Sequence, residues 1–187
     1  MSASDVMMAY GQRCHPLGVA NTAGLEKRGV PREVLEFDEG RKLFKVMKAT
    51  VRKEAGFFEF VDAGSAAIIF VCRDERGDVA DLAAWTPAED DIALWLGNVS
   101  MLGEEAVLRA RLAGDKLWVH PTPLDWLIHR RTGVVILNHD RARPLLVAGS
   151  PIAVKTKTYA RWLEEQWQAP RITVFDDGGA AAVTEAA

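Results

Sequence analysis

The 187 residues suit one domain, or one domain with an appendage, and 49% hydrophobic against 26% charged residues supply enough apolar material for a core. A net charge of −3 gives no overall basic balance, so any nucleic-acid reading has to rest on local charge distribution. Two cysteines, Cys14 and Cys72, lie too far apart for a disulfide framework or a metal-ligand motif, and no apolar run approaches the ~20 residues that a membrane helix needs.

The first ten residues carry Asp5 and no basic stretch ahead of an apolar run, so they do not read as a signal peptide, and a cytoplasmic protein with no membrane partner is expected. Residues 1–37 read as irregular. Gly, Pro and Asn are scattered through 11–21, helical turns are expected only around 5–9 and 22–28, and Pro31 is a break. Asp38 then looks like an N-cap. Leu43, Phe44, Met47, Val51 and Ala55 recur at helical spacing, which predicts an amphipathic helix over 38–55 stopped by Gly56. The opposite face of that helix would carry Arg41, Lys45, Lys48 and Arg52, with no acid between Arg41 and Lys53. Such a stripe is either a solvated face or one turned toward phosphates.

A short strand is expected at 57–61. The apolar run 66–72 and the alternating segment 79–85, joined through Arg73-Asp-Glu-Arg-Gly-Asp78, predict a β-hairpin, with Cys72 as a buried thiol. Pro87 ends the hairpin and a further strand follows at 92–96. From residue 101 helices alternate with strands: helix 103–112, strand 116–120, and a helix 122–131 capped by Thr122 with Pro123 in its first turn. Next come strand 134–137, a helix over 140–147 interrupted at Pro144, and strand 152–154. Helix 156–167 has Tyr159, Trp162, Leu163 and Gln166 along one side, and 171–175 is a last strand. Strands separated by helices of this length imply a parallel sheet. Residues 177–187 are Gly, Ala and acid, a composition expected to be disordered. The expected fold class is α/β: a Rossmann-like parallel-sheet half at 101–176, preceded at 38–100 by a helix and an antiparallel hairpin, with 38–176 as one compact unit.

Ligands of an open parallel sheet bind outside the carboxyl ends of its strands. Those ends here present His120, Asn138-His139-Asp140, Lys155 and Asp176-Asp177. The chain has no Gly-Lys-Ser/Thr phosphate loop, no Gly-rich dinucleotide fingerprint and no Gly-x-Ser-x-Gly elbow. Cys14 and His15 are adjacent and so poorly placed to act as a nucleophile and base. Asp125 and His129, four apart on a helix, read as a helix-stabilising pair. In a restriction-type acid-x-Lys motif ending at Lys155, Ala153 would occupy the place of the acid.

The run from Glu105 to His120 resembles the helix and first strand of the toprim domain of primase-related phage and plasmid proteins. Thr132-Gly-Val-Val-Ile-Leu137 is similar to that family's second strand, and Arg171-Ile-Thr-Val-Phe-Asp-Asp-Gly-Gly179 to its strand ending in Asp-x-Asp. The hairpin over 68–85 is similar to one that precedes toprim domains in bacterial primases. The resemblance implies a toprim-like fold, a place in DNA replication, and phosphoryl transfer in which acids hold Mg²⁺ and a Glu handles the proton. In this chain the family's Glu falls on Pro121 and the second acid of Asp-x-Asp on Gly178.

Asp140, Asp176 and Asp177 remain as candidate metal ligands, able to bind Mg²⁺ weakly, and no catalytic residue is assigned. The resulting expectation is a non-catalytic accessory protein of a phage or mobile element. It would bind nucleic acid or a replication component through Arg41, Lys45, Lys48, Arg52, Arg141, Arg143, Lys155 and Lys157, with six tryptophans as further stacking surface. One alternative is a protein-binding inhibitor or assembly factor using the acidic segment Asp74, Glu75, Asp78, Asp81, Glu89, Asp90 and Asp91. Another is a divergent metal-dependent phosphoryl-transfer enzyme or nuclease using Asp140, Asp176 and His139.

Overall fold

The computed structural model describes residues 2–40, 43–147, 151–167, 174–175 and 181–182. The chain divides into two compact units, Met1–Lys155 and Thr156–Ala187.

The segment expected to be a helix over 38–55 is extended. Asp38 and Leu43 face each other across an isolated antiparallel bridge, and Met47–Glu54 forms a strand. The apolar positions that fit a helical period also fit a period of two. Met47, Ala49 and Val51 alternate with Lys48, Thr50 and Arg52, and Thr50 and Val51 are β-branched. Ala55 and Gly56 both have positive φ, 49° and 81°, the signature of a two-residue hairpin turn that continues the twist of its strands. Pairing on both sides of this strand overrides the local helical pattern. Residues 1–37 are also more regular than expected, with helices α1 (Ala3–Arg13) and α2 (Val19–Lys27) and a 3-10 turn at Arg32–Leu35. A capping box between Ser2 and Asp5 starts α1.

Strand β1 (His15–Pro16) lies beside β2 (Met47–Glu54). Strand β2 pairs antiparallel with both β3 (Phe57–Phe60) and β4 (Ser65–Arg73). Strands β4, β5 (Val79–Thr86) and β6 (Asp91–Leu94) form an antiparallel meander, and β6 meets β3 in parallel at Phe57 and Leu94. The circuit β2-β3-β6-β5-β4-β2 is therefore a closed five-strand barrel, a feature the sequence pattern did not reveal. One hydrophobic cluster draws on all five of these strands, through Val51, Phe58, Ile69, Leu82 and Ala93, and on Val6 and Tyr10 of α1. The other faces of β4 and β5 carry Ile68, Phe70, Cys72, Ala83 and Trp85 into a second cluster. Burial on both faces is why 66–72 reads as a continuous apolar run, and Cys72 is buried as expected.

The second sheet has β7 (Met101–Leu102), β8 (Leu117–His120), β9 (Val134–Ile136) and β10 (Ile152–Ala153) in the order β10-β8-β9-β7. Strands β10, β8 and β9 are parallel, and β7 runs antiparallel to β9. Between them lie α3 (Glu105–Ala113), α4 (Pro123–Ile128) and α5 (His139–Val147). Pro144 does not break α5, which buries Ala142 and Leu146. The third parallel strand is β10, which falls within the expected strand 152–154. Of the expected strand 171–175, Val174–Phe175 (β11) is described, and it pairs antiparallel with Ala181–Ala182 (β12), two residues of the expected disordered tail. In the second unit, α6 (Lys157–Trp167) buries Leu163, while Trp162 is exposed and stacks on Tyr159 at 5.5 Å. Among the described residues no helix is long and apolar enough to cross a membrane.

Asp81 ties β5 to the segment that follows β6. Its side chain is fully buried and its carboxylate accepts the amides of Leu82 at 2.7 Å, Leu96 at 2.9 Å and Asn98 at 2.8 Å. Burial pushes the carboxyl pKa up and these amide bonds pull it back. Asp81→Ala leaves those amides without their acceptor and should cost about 3 kcal/mol, the scale of unsatisfied buried donors. Urea denaturation of parent and variant measures the difference.

Candidate nucleic-acid interface

Because β10, β8 and β9 run parallel, one edge of their sheet carries Lys155, His120 and Asn138-His139-Asp140. The Asn138 side chain accepts the Arg141 amide at 3.1 Å, and Asp140 lies exposed in the first turn of α5. Burial pushes the His139 imidazole pKa down, and neighbouring Asp140 pulls it up. Asp176, Asp177 and Arg41 fall outside the described residues. Among the described residues no three His, Cys, Asp or Glu side chains are grouped to hold a metal ion.

The described basic residues singled out from sequence differ in their surroundings. Lys45 pairs with Glu36 at 2.7 Å, and Arg52 pairs across the hairpin with Glu59 at 3.0 Å. Lys48 is half-buried on β2, opposite Ile68 of β4. Arg141 donates to the carbonyls of Gly97 and Asn98, the latter at 3.1 Å, and Arg143 is half-buried on α5. Lys155 and Lys157 are exposed, and Lys157 belongs to the second unit. The acidic segment is likewise largely committed. Asp74 accepts turn amides, Asp81 is buried, Asp90 accepts the Trp85 indole N–H, and Asp91 pairs with Lys53.

A cleft of about 260 Å³ lies between α3, β8 and the turn 129–133, and sequence reasoning did not find it. Arg109, Lys116 and Arg131 line it with Trp118, Glu105 and Asp115. On β8, Leu117 and Val119 point inward and Trp118 outward, 37% exposed, with the Lys116 ammonium 5.0 Å from the centre of its ring. Burial pushes the Glu105 carboxyl pKa up, opposed by a backbone hydrogen bond and by Arg109, Arg73 and Arg131. The available sequence signal was Lys116-Leu-Trp118, a cation and a large aromatic on the same side of a strand.

The turn that brings Arg131 to the cleft is strained. Arg130 and Arg131 are consecutive left-handed residues with φ of 59° and 57°, and each costs roughly 1–2 kcal/mol in a non-glycine residue. Surrounding bonds hold them there. The Arg131 amide donates to the Trp126 carbonyl at 2.8 Å, the Thr132 hydroxyl to the His129 carbonyl at 2.6 Å, and the Trp126 indole to the Gly133 carbonyl at 3.1 Å. Arg131 is 7% exposed, donates to the Phe44 carbonyl at 2.8 Å and lies 5.2 Å from the Trp126 ring centre. Arg130 pairs with Glu33 at 3.0 Å.

No protein-family model matches the chain, and no curated protein sequence matches it. Two solved structures align with it, both of them primase cores. The Escherichia coli primase catalytic core has 17% identity and a TM-score of 0.45 over 86% of this chain and 63% of that one. The RNA polymerase domain of Mycobacterium tuberculosis primase DnaG, solved with double-stranded DNA, has 16% identity and a TM-score of 0.36 over 86% of this chain and 56% of that one. The chain thus spans less than two thirds of the length of either structure.

Gly133 closes the turn with φ of 75°, and a Cβ there would fall 2.2 Å from the Trp118 carbonyl oxygen. Gly133→Ala should therefore force β8 and the turn apart and destabilise the protein by at least about 2 kcal/mol. Urea denaturation checks this.

Proposed function

We propose that this protein is a non-catalytic accessory factor that binds nucleic acid in the cleft between α3 and β8. Arg109, Lys116 and Arg131 hold backbone phosphate, and an unstacked base lies on Trp118. The observation that carries this reading is the Lys116–Trp118 pair beside a cleft that Arg109 and the strained turn at Arg131 also line. Strain of this kind persists where the surroundings over-determine it, and it concentrates at ligand sites. Three cations line the cleft against two acids. An exposed indole offers a stacking face that any base can use. A role beside a replication component of a phage or mobile element is the reading the toprim-like sequence resemblance supports.

Titration of a fluorescent single-stranded oligonucleotide at low salt tests this. Trp118→Ala should weaken binding by about 1–3 kcal/mol, the usual contribution of one stacked base. Arg109→Ala and Lys116→Ala should each reduce the slope of log affinity against log salt by about one, similarly for all base sequences. Absence of binding at low salt, or variants indistinguishable from the parent, would overturn the reading.

The absence of catalysis is supported by Pro121, which follows β8 where the sequence resemblance puts the family's Glu and which has no group to move a proton. Incubation with Mg²⁺ or Mn²⁺ and either an oligonucleotide or nucleotides should give no cleavage and no polymerisation on a denaturing gel. Turnover in the parent that disappears in Asp140→Ala would refute this.

A further inference from the structure

We infer that His120 and His129 form a lock on the turn carrying Arg131, and that acidification opens it. The inference rests on the binding reading above, because Arg131 is one of the cations assigned there to phosphate. His120 is the last residue of β8, 3% exposed, with its Nε2 2.9 Å from the Thr132 carbonyl oxygen. A carbonyl only accepts, so Nε2 carries the proton. His129 follows α4, with its Nδ1 2.7 Å from the Asp125 carbonyl oxygen, so that nitrogen also carries its proton. The two rings face each other at 4.8 Å with planes 30° apart. One histidine thus grips Thr132 inside the turn, and the other ties the start of the turn to α4.

The groups acting on His120 come from each neighbouring element. His129 and Asp125 belong to the α4 segment, Thr132 to the turn, and Lys155 follows β10. The Asp125 carboxylate is itself engaged by the Thr122 hydroxyl at 2.7 Å. Burial pushes the His120 imidazole pKa down. The Thr132 carbonyl pulls it up, His129 pushes it down, Asp125 pulls it up and Lys155 pushes it down, and the net shift is downward. A histidine depressed in the closed turn takes a proton more readily once the turn opens. Closure is therefore fully stable above the ordinary histidine range and loses stability as pH falls through that range toward the depressed value. Opening also lets Arg130 and Arg131 leave the left-handed region, which removes Arg131 from the cleft. Simple charge predicts the opposite trend, since protonated histidines add positive charge and strengthen nucleic-acid binding. The sign of the pH dependence therefore separates the two.

The experiment compares the parent at about pH 7.5 and about pH 5.5, across the histidine range and at constant ionic strength. It reads amide exchange protection of Arg131 and Thr132 in the free protein, and affinity for a single-stranded oligonucleotide. Acidification should lower the protection of both amides and weaken binding several-fold. His120→Gln keeps an N–H for the Thr132 carbonyl but does not titrate, and should flatten both dependences. His129→Gln removes the facing ring and should shrink them, which keeps the test decisive if His120→Gln does not fold. Protection that is independent of pH in the parent, or affinity that rises on acidification, overturns the lock. Protection that falls in a protein binding no oligonucleotide leaves the lock standing and overturns the binding reading. Binding with pH-independent protection does the reverse.

Discussion

Phe70 of β4 and Trp126 of α4 meet edge to face at 5.7 Å, and the candidate site depends on that contact. Phe70 belongs to the barrel wall and stacks on Trp85 of β5 at 6.3 Å. Trp126 is 3% exposed, so its ring is fixed by packing rather than by the turn it serves. From that position its indole holds the Gly133 carbonyl, its backbone carbonyl holds the Arg131 amide, and its face lies under the Arg131 guanidinium. A geometry two residues deep in the left-handed region is thereby maintained by an aromatic anchor in the core. Buried aromatic pairs of this kind contribute about 0.5–1.5 kcal/mol beyond their area, the same order as the strain at one of the two arginines.

The parts of the fold legible in the sequence were those where local pattern and tertiary environment agree. The hairpin of β4 and β5, α3, α4, and the parallel pair β8 and β9 were read within a few residues of their observed bounds. The segment 38–55 misled because its apolar residues satisfy two periods at once, and only pairing with β3 and β4 selects the strand. Closure of the barrel rests on a parallel contact between Phe57 and Leu94, 37 positions apart in the numbering, for which no local signal exists. Of the expected strand 171–175 only Val174–Phe175 lies within the described residues.

The candidate site was less legible than the fold. Counting cations in sequence took Lys45 and Arg52 as a free stripe, whereas Glu36 and Glu59 reach them from other segments. Exposed pairs of this kind contribute little to stability, yet they cancel much of the field a ligand would feel. The same counting took Asp81 and Asp91 as acidic surface, although one is a buried acceptor and the other pairs with Lys53. Nothing in the sequence singles out Arg131, because its placement depends on backbone dihedrals that composition does not encode.

Arg131 also poses an energetic problem that bears on function. Removing a guanidinium from water costs several kcal/mol, and an apolar residue of similar volume in such a place is often at least as stable. The Phe44 carbonyl and the Trp126 face offset part of that cost. The left-handed backbone adds to it, and neither contact requires that geometry in a residue chosen for stability alone. Asn or Gly would occupy φ near 57° with less strain, and a shorter side chain would not reach Phe44. A long, permanently charged side chain kept at such a position is suited to an anion that approaches from the cleft. In the proposed binding mode Lys116 and Arg109, both exposed, would meet that anion at the surface and contribute mainly to encounter. Arg131, already oriented by its contacts, would lose little side-chain freedom on binding. On this argument the strain in the turn is the cost of preorganisation, and the histidine pair behind it is placed where that preorganisation can be released.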